Sequence, residues 1–386
     1  MQNKYDLLVV GGGILGLFHA YHALQKKLKV AIIEKNSILS GASVRNFGQV
    51  IPSAMNLKWQ NFGRESVSIY KKLQDQTDLT IRQNGSVYLA SNEEEVQLIE
   101  ELSQINKDQN YDSILLTKKE CLQRFDGLKS DYCKAGLFFP EEITVDSGEL
   151  IRRFQRLLIE KFGLTFFYNT TITSTSESSL GCEAIAANGQ KFIASKIIIC
   201  GGSEFKTLHP NIYENSDLVA TKLQMLQTKP QGIYALPSNI LTGLTIRRYE
   251  AFEECPSYTS IKAKEVSTSF DKKFGIHILF KQSLDGSIII GDSHEYADAK
   301  DIDVLGYDLN MEIDAFMINE AKKIIDLPTF EIQKRWFGIY SQCKTQDIFE
   351  HNPSPNIHII TGIGGKGMTG SAGFSRQKIN LIFNKN

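Results

Sequence analysis

The residues with the clearest chemical role lie near the start of the chain, where three glycines have the spacing G-x-G-x-x-G. Gly11 allows a sharp turn, Gly13 lets the backbone approach a pyrophosphate, and Gly16 lets a helix pack closely on a strand. The N-terminus of that helix supplies free N–H groups and a partial positive charge. Glu34 follows roughly 20 residues later, where an acid can bind a ribose hydroxyl. The pattern predicts a dinucleotide-binding site, and the alternative is a glycine-rich turn in another α/β protein.

Two further glycine clusters follow apolar runs later in the chain. Gly201 and Gly202 end the run KIIIC, and TGIGGKGMTG follows the run IHII near the C-terminus. Paired glycines after a buried strand indicate a close approach of the backbone to a ligand. A simple NAD-dependent dehydrogenase needs no second glycine turn there. A flavoenzyme does, because its long cofactor spans the domain and backbone N–H groups of such a turn can face the flavin ring.

Strands, a helix and a loop must position the first glycine motif. Apolar residues predict strands at Leu7–Val10 and Val30–Ile33, with a helix between them. The segment after Glu34 is rich in Gly, Ser and Asn and predicts a loop that crosses the dinucleotide. Its polar side chains can reach phosphate or ribose oxygens, at Ser40, Ser43, Arg45 and Asn46. The alternative is an ordinary surface loop.

A second domain is predicted by a change of pattern. Short alternating segments between Val219 and Asp292 predict an antiparallel sheet, and Leu309–Asp326 predicts a helix. The fold class is therefore α/β for the nucleotide-binding part, with an α+β second domain. We expect the nucleotide-binding domain at 1–84, 138–215 and 330–386, and the second domain at 85–137 and 216–329.

Composition narrows the functional class. The chain has 386 residues, of which 42% are hydrophobic, and a net charge of −1, so no basic excess indicates nucleic acid as a partner. No stretch approaches the ~20 apolar residues of a membrane helix. The six cysteines form no C-x-x-C pair, which favours reduced thiols, a cytoplasmic location and no structural metal site. Oligomeric state is not predicted.

The ordered motifs together resemble one family. They are GGGILG with Glu34, SGASVRNFG, IIICGG, DGSIIIGDS, RWFG and TGIGGKGMTG, and they span nearly the whole chain. The set resembles the D-amino acid oxidase, glycine oxidase and sarcosine oxidase family of FAD-dependent oxidoreductases. The resemblance implies a Rossmann-like FAD-binding domain with an interleaved antiparallel-sheet substrate domain. It also implies hydride transfer from a C–N bond to flavin N5, which gives an imine that hydrolyses.

The resemblance implies FAD contacts throughout these motifs. The implied residues are Gly11, Gly13, Ile14, Leu15, Gly16, Glu34, Lys35, Ser40, Gly41, Ala42, Ser43, Arg45, Asn46, Gly48, Thr173, Cys200, Gly201, Gly202, Gly338, Gly362, Gly364, Gly365, Lys366, Gly367, Met368 and Thr369. Within the family, RYEAF, IGDSHEY and RWFGIYS are most similar to a clade found beside phosphonate-breakdown genes. That clade is thought to act on aminophosphonates, including N-methyl-2-aminoethylphosphonate.

Three positions depart from the family pattern. Tyr340 stands where glycine oxidases carry the arginine that binds the substrate carboxylate, and where monomeric sarcosine oxidases attach flavin to a cysteine. Cys343 is about three residues out of register, so FAD is expected to be bound without a covalent link. Thr369 aligns with a carboxylate-binding lysine of sarcosine oxidases. Since neither tyrosine nor threonine replaces a bidentate arginine, the substrate anion is held from elsewhere or is a different anion.

A phosphonate suits dispersed donors, because it offers three oxygens and more charge than a carboxylate. Candidate substrate-binding residues are Arg247, Arg248, Tyr249, His277, Tyr340 and Thr369, with Lys366 also able to contribute. Arg247 and Arg248 are neighbours on a predicted strand and should face opposite sides, so at most one points into the site. The alternative for each is a solvated position on the sheet.

The family mechanism requires little acid–base chemistry from the protein, so no proton-transferring residue is predicted. Tyr340 and Lys366 are predicted to form the wall of the site. Lys366 could stabilise negative charge near the flavin N1–C2 carbonyl, or it could face solvent. His277 and His294 could orient an amine or an anion, although a structural role is the commoner one for such residues.

Four functions remain distinguishable from the sequence. The first is FAD-dependent oxidation of a small anionic amine such as an aminophosphonate. The second is the same chemistry on a D-amino acid, glycine or sarcosine. The third is a flavin-binding protein without amine turnover. The fourth, an NAD-dependent dehydrogenase, is disfavoured by the C-terminal glycine turn. The electron acceptor, whether oxygen or a quinone, is not predicted.

Overall fold

The computed structural model describes residues 4–179 and 181–383, which form two large sheets, a two-stranded sheet and surrounding helices. The strands are β1 Lys4–Val10, β2 Val30–Ile33, β3 Gln49–Val50, β4 Ser86–Ala90, β5 Ile114–Thr117, β6 Ala135–Phe139, β7 Ile143–Thr144, β8 Thr165–Phe167, β9 Ile172–Ser178, β10 Gly181–Ala186, β11 Lys191–Ile199, β12 Leu218–Thr228, β13 Asn239–Leu241, β14 Leu279–Gln282, β15 Ile288–Gly291, β16 Glu295–Asp298, β17 Ile332–Cys343, β18 Phe349–Ser354 and β19 Ile357–Thr361. The α-helices are α1 Ile14–Gln25, α2 Leu57–Gln74, α3 Glu93–Asp108, α4 Lys118–Arg124, α5 Ser147–Phe162, α6 Pro210–Glu214, α7 Gly243–Ile246, α8 Tyr258–Lys262, α9 Phe270–Lys273, α10 Met311–Ile324 and α11 Gly367–Phe383.

The first sheet confirms the expected α/β architecture. Its parallel core runs β19-β11-β1-β2-β8, and β18 and the β9–β10 hairpin add antiparallel strands. Strands β1 and β2 are largely buried, since helices cover the sheet, and this explains their continuous apolar runs. The first glycine motif joins β1 to α1, and the last glycine turn joins β19 to α11.

Helices α1 and α11 pack side by side and bring these two glycine turns together. Eleven of the twelve residues of α1 are buried, because the helix lies between the sheet and α11. His22 Nε2 contacts the Ala372 carbonyl of α11 at 2.8 Å. Tyr70 of α2 donates a hydrogen bond to the Met368 carbonyl at 2.9 Å, which fixes the start of α11. None of the described helices is both long and apolar enough to cross a bilayer.

The second sheet has nine strands and is antiparallel except at the β13–β4 pair. Strand β12 is its centre, because it pairs with β15, β16 and β17. Two strands differ from the expected domain boundaries. Strand β17 pairs with β12 of the second sheet along its length, although we expect 330–386 in the first domain. Strand β6 lies wholly in the second sheet, although the expected boundary places its last two residues in the first domain. The remaining boundaries stay a prediction.

The segment that carries Arg247 and Arg248 was predicted as strands, and this prediction is wrong. Residues 243–246 form α7, and the Arg247 N–H donates to the Gly243 carbonyl at 3.1 Å, while the Tyr249 N–H donates to the Thr245 carbonyl at 3.0 Å. The apparent alternation in NILTGLTIRRY comes from a three-residue strand that turns directly into helix. The two arginines therefore diverge because they lie on a helical turn, not because they alternate along a strand.

Candidate active site

The first glycine turn has a geometry that only glycine tolerates. Gly11 has φ +106°, and a Cβ there would lie 2.3 Å from the Cys200 carbonyl oxygen. A Cβ on Gly16 would lie 2.1 Å from the Gly11 carbonyl oxygen. The turn therefore presses α1 against the end of β1, with the N-terminus of the helix facing a cavity of about 1120 Å³. At that N-terminus the Ile14 N–H donates to Ser43 Oγ at 2.9 Å.

The loop that carries Ser43 is anchored from both sides. Arg45 Nε donates to the Ser40 carbonyl at 2.8 Å, and its Nη1 donates to the Phe337 carbonyl of β17 at 3.1 Å. Asn46 Nδ2 donates to the Ser43 carbonyl at 2.7 Å, and Asn46 Oδ1 accepts from the Gly48 N–H at 2.9 Å. These bonds hold the loop beside the helix N-terminus and the second sheet.

The last glycine turn closes the opposite side of the same cavity. Gly362 and Gly364 have φ +71° and +65°, and a Cβ on Gly362 would lie 2.5 Å from Leu218 Cδ2. Thr361 Oγ1 donates to the Gly202 carbonyl at 2.8 Å, so this turn also joins the IIICGG segment. The Tyr340 hydroxyl lies 4.0 Å from the Cβ position of Gly365. All three glycine segments therefore converge on one cavity.

The turn that follows α7 contributes a cationic side chain to this cavity. The Arg248 guanidinium donates from Nη2 to the Tyr296 hydroxyl at 2.7 Å, and its Nη1 lies 2.9 Å from the Cβ position of Gly275. No carboxylate of residues 4–179 and 181–383 lies within 4.0 Å of it. Burial alone would lower the pKa of Arg248, but Tyr296, Tyr340 and Asp292 raise it above the ordinary guanidinium value. It is therefore a fixed cation that forms no direct ion pair with a described residue, although the Asp292 carboxylate is close enough to raise its pKa.

Arg247 has the opposite surroundings. Its guanidinium pairs with Glu95 at 2.9 Å, Glu94 at 3.0 Å and Glu265 at 3.7 Å, and it does not line the cavity. Arg247 is thus a structural cation that ties α7 to α3.

A buried polar cluster lies next to Arg248. Asp292 and His294 lie just before β16 and Tyr296 lies in it; all three line the cavity, and the rings of His294 and Tyr296 stack at 6.2 Å between centroids. Oδ1 of Asp292 is 2.5 Å from Nε2 of His277, and His294 Nδ1 donates to the Gly275 carbonyl at 2.9 Å. His277, Asp292 and His294 offer atoms within 4.8 Å of one another, close enough in principle to hold a metal ion.

Burial and charge fix the protonation of two members of this cluster. Burial, with the nearby Arg248 cation, lowers the pKa of His294 to about 3, so its imidazole is neutral. Burial alone would raise the pKa of Asp292, but His277, His294 and Arg248 hold it below its ordinary value. Asp292 is therefore an anion that faces the cavity.

Comparison with known proteins gives the family. The family model described as "FAD dependent oxidoreductase" matches residues 6–377. The chain belongs to this family. FAD-dependent oxidoreductase domain-containing protein 1 of Xenopus laevis is 23% identical over 418 residues, which cover 98% of this chain and 79% of that protein. It follows that the chain is an FAD-dependent oxidoreductase.

Two solved structures show the same fold. Glycine oxidase from Geobacillus kaustophilus has a TM-score of 0.79 at 16% identity, covering 100% of this chain and 96% of that one. L-α-Glycerophosphate oxidase from Mycoplasma pneumoniae, solved with FAD bound, has a TM-score of 0.77 at 18% identity, covering 98% of this chain and 95% of that one. These likenesses confirm the expected class of fold.

The residues around the cavity fit FAD. The helix N-terminus with the Ser43 hydroxyl suits a pyrophosphate, and the glycine turns leave backbone rather than side chains at the cavity wall. Expected FAD residues that line the cavity are Gly13, Ile14, Leu15, Gly16, Ala42, Ser43, Arg45, Asn46, Gly48, Cys200, Gly202, Gly338, Gly362, Gly364, Gly365, Lys366, Gly367, Met368 and Thr369.

Several expected FAD residues lie outside this cavity. The buried Glu34 carboxylate accepts from the Gly12 and Asn36 N–H groups, each at 3.0 Å, and Lys35 pairs with Glu204 at 2.5 Å. Thr173 is exposed on β9 and donates to the Ile185 carbonyl at 3.2 Å. The others are Gly11, which forms the turn, and Ser40, Gly41 and Gly201. A contact between these residues and FAD stays a prediction.

The expected substrate residues divide in the same way. Arg248, Tyr249, His277 and Tyr340 line the cavity together. Thr369 also lines it, but its hydroxyl accepts from the Ile51 N–H at 3.1 Å. These placements leave the substrate role of each residue a prediction.

Lys366 is bound to acidic partners rather than facing solvent. Its Nζ pairs with Glu250 at 2.6 Å and with Asp347 at 3.6 Å, and its side chain is 15% exposed. Glu250 also lines the cavity. If Lys366 stabilises charge on the flavin, it must therefore do so while it is paired with the Glu250 and Asp347 carboxylates.

Asp292 and Tyr296 are among the cavity residues that sequence reasoning missed. The signal was present, because the run D-S-H-E-Y places Asp292, His294 and Tyr296 at alternate positions. Of these three, only His294 is of a residue type that by itself indicates a site.

Proposed function

We propose that this oxidoreductase oxidises the C–N bond of a small anionic amine, an aminophosphonate such as N-methyl-2-aminoethylphosphonate. The observation that carries the proposal is Arg248, a cavity-lining guanidinium without a carboxylate partner among the described residues. A partly buried cation in that state is suited to an anionic ligand. Arg248 would then replace the arginine that the family carries at the position of Tyr340.

A phosphonate suits the donors around Arg248. The Tyr296 hydroxyl accepts from Arg248 at 2.7 Å, and Tyr340 also lines the cavity. Burial raises the pKa of Tyr340, which keeps its hydroxyl protonated. A guanidinium with two hydroxyls can serve three phosphonate oxygens, and charge-assisted bonds of this kind are the strong ones. The donors come from separate segments, which suits a tetrahedral anion.

The amine end of such a substrate would face Asp292. The Asp292 carboxylate lines the same cavity as Arg248 and has the opposite charge, so the two residues can orient a zwitterion. Bound FAD supplies the hydride acceptor. The chain's own residues bind, orient and exclude water from the reacting carbon.

We also propose that FAD is held without a covalent bond. Cys343 is the cysteine nearest to the position used for attachment in sarcosine oxidases, and it lies beside Gly362. Burial and the neighbouring Asp217 carboxylate raise the pKa of the Cys343 thiol to about 12. A thiol that stays protonated is a poor nucleophile for attachment.

An α-amino acid is the second candidate substrate, since a guanidinium fork also matches a carboxylate. Anaerobic bleaching of the ~450 nm flavin band distinguishes the two. N-methyl-2-aminoethylphosphonate, 2-aminoethylphosphonate, sarcosine, glycine and mixed D-amino acids are added in turn to the purified protein. Rapid bleaching by the phosphonates alone supports the proposal. Bleaching by sarcosine, glycine or D-amino acids alone refutes the phosphonate, and bleaching by none refutes amine oxidation.

A further inference from the structure

The His277–Asp292 pair has hydrogen-bonding capacity that the protein leaves unused. His277 is 3% and Asp292 is 6% exposed, and both line the cavity. Asp292 Oδ1 lies 2.5 Å from His277 Nε2, whereas His277 Nδ1 makes no hydrogen bond with any described residue. Since buried polar atoms are almost always bonded, a ligand group is the expected partner.

The proposed reaction supplies such a group. An alkylammonium has a pKa near ~10, so the substrate reaches the enzyme protonated at neutral pH. Hydride departure from the adjacent carbon needs the nitrogen lone pair, which the ammonium proton occupies. The reaction therefore requires a base close to the bound amine.

The charge closest to His277, the Asp292 carboxylate at 2.5 Å, favours this task. Asp292 is the anion next to His277. The rings of Tyr249 and of the neutral His294 also contact His277, at 5.4 Å and 5.3 Å between centroids. The Arg248 cation interacts with Asp292. Tyr296 accepts a hydrogen bond from Arg248 at 2.7 Å and stacks on His294, and Tyr340 also lines the cavity. An imidazolium formed at His277 would be stabilised by Asp292, as a carboxylate stabilises an imidazolium elsewhere.

We propose, on the basis of the proposed amine oxidation, that His277 accepts the substrate's ammonium proton and that Asp292 stabilises the resulting imidazolium. The substrate N–H bond breaks, its electron pair stays on nitrogen, and the proton bonds to a ring nitrogen of His277. The α-carbon then loses hydride to the bound FAD, which is the oxidant. His277 returns its proton to solvent after the product leaves.

The test is the pH profile of anaerobic flavin reduction at saturating N-methyl-2-aminoethylphosphonate. In the His277→Gln variant the limiting rate should fall about tenfold per pH unit below the ammonium pKa. The gap to wild type should close near pH ~10, because there the amine arrives already neutral. His294→Gln is the matched control, and its profile should run parallel to that of wild type.

A second readout separates a proton acceptor from a structural residue. Calorimetry follows binding of 2-amino-2-methylpropylphosphonate, whose C–N carbon carries no hydrogen and cannot be oxidised. The His277→Gln variant should bind it within about threefold of wild type. Lost binding, or a profile parallel to wild type, would overturn the inference. The gap in rate between Asp292→Asn and wild type should also close at alkaline pH. This second variant keeps the inference testable if His277→Gln does not fold.

The failures are distinguishable. A wild-type protein that no amine bleaches contradicts the proposed function. A wild-type protein that is bleached, with His277→Gln and Asp292→Asn profiles that show no alkaline recovery, contradicts only the role of His277 as proton acceptor.

Discussion

Arg247 and Arg248 are adjacent in the chain, yet one is surrounded by three carboxylates and the other has none within 4.0 Å among the described residues. A helical turn separates their directions, so Arg247 faces α3 while Arg248 faces the cavity. From this contrast we expect Arg247 to stabilise the fold and Arg248 to bind a ligand.

The two arginines should therefore respond differently to the same substitution. Arg247→Gln leaves the 4%-exposed side chain of Glu95 without its cation, and breaking a buried pair in this way costs about 3–5 kcal/mol. Arg248→Gln should change the free energy of unfolding by less than about 1 kcal/mol, since it breaks no ion pair. Urea unfolding of both variants measures this, and equal destabilisation would contradict the contrast.

Gly11→Ala should abolish most FAD binding. Its Cβ would collide with the Cys200 carbonyl at 2.3 Å, and a left-handed alanine costs about 1–2 kcal/mol before that collision is counted. We expect at least about tenfold weaker FAD binding, measured by flavin absorbance per protein. Gly148→Ala is the control, because a Cβ there meets nothing within 4 Å. Normal flavin content in Gly11→Ala would refute the assigned role of this turn.

Glu142 should make stability depend on pH. Its buried carboxyl accepts from the Ser53 N–H and the Tyr111 hydroxyl, each at 2.9 Å, and burial raises its pKa from 4.5 to about 7. Between these values the folded state binds more protons than the unfolded state, so stability is fully present below pH 4.5 and is lost as pH rises through about 7.

Glu142→Gln removes this titration. Relative to wild type, the variant should gain up to about 3 kcal/mol between pH 5 and pH 8. Urea unfolding at the two pH values measures the change. A difference between the two proteins that stays constant with pH would show that Glu142 has an ordinary pKa.

The His277, Asp292 and His294 cluster should act without a metal ion. A divalent cation there would lie beside the Arg248 guanidinium, and like charges oppose each other in a partly buried site. Dialysis against a chelator should leave the rate of flavin bleaching unchanged, and metal analysis should find less than about 0.1 ion per chain. Stoichiometric metal, with activity lost on chelation, would contradict this.

The glycine turns of the expected FAD site are easier to predict from the sequence than the expected substrate-binding residues. The turns at Gly11 and Gly362 depend on local backbone geometry, which the glycine spacing records directly. The position of Arg248 depends on whether Thr242 ends a strand or starts a helix, and that choice is made by distant packing. The alternation of apolar residues before it was therefore misleading.

Long-range pairing also explains the misplaced strand β17. Its sequence RWFGIYS adjoins the C-terminal glycine turn, but its partner β12 lies more than a hundred residues earlier in the chain. The contact between His277 and Asp292 also depends on strand pairing, because the hairpin of β14 and β15 brings the two side chains together. Alternation within 292–296 would have shown which residues share a side, but not what they face.

The most direct test of the central claim compares two amines that differ only in the anion. Anaerobic flavin reduction is measured for wild type and Arg248→Gln with N-methyl-2-aminoethylphosphonate and with N-methylethylamine, which lacks the phosphonate. Wild type should prefer the phosphonate by at least about 100-fold in apparent second-order rate. Arg248→Gln should lose most of that preference while reacting with N-methylethylamine as wild type does. An unchanged preference in Arg248→Gln would show that the substrate anion is held elsewhere.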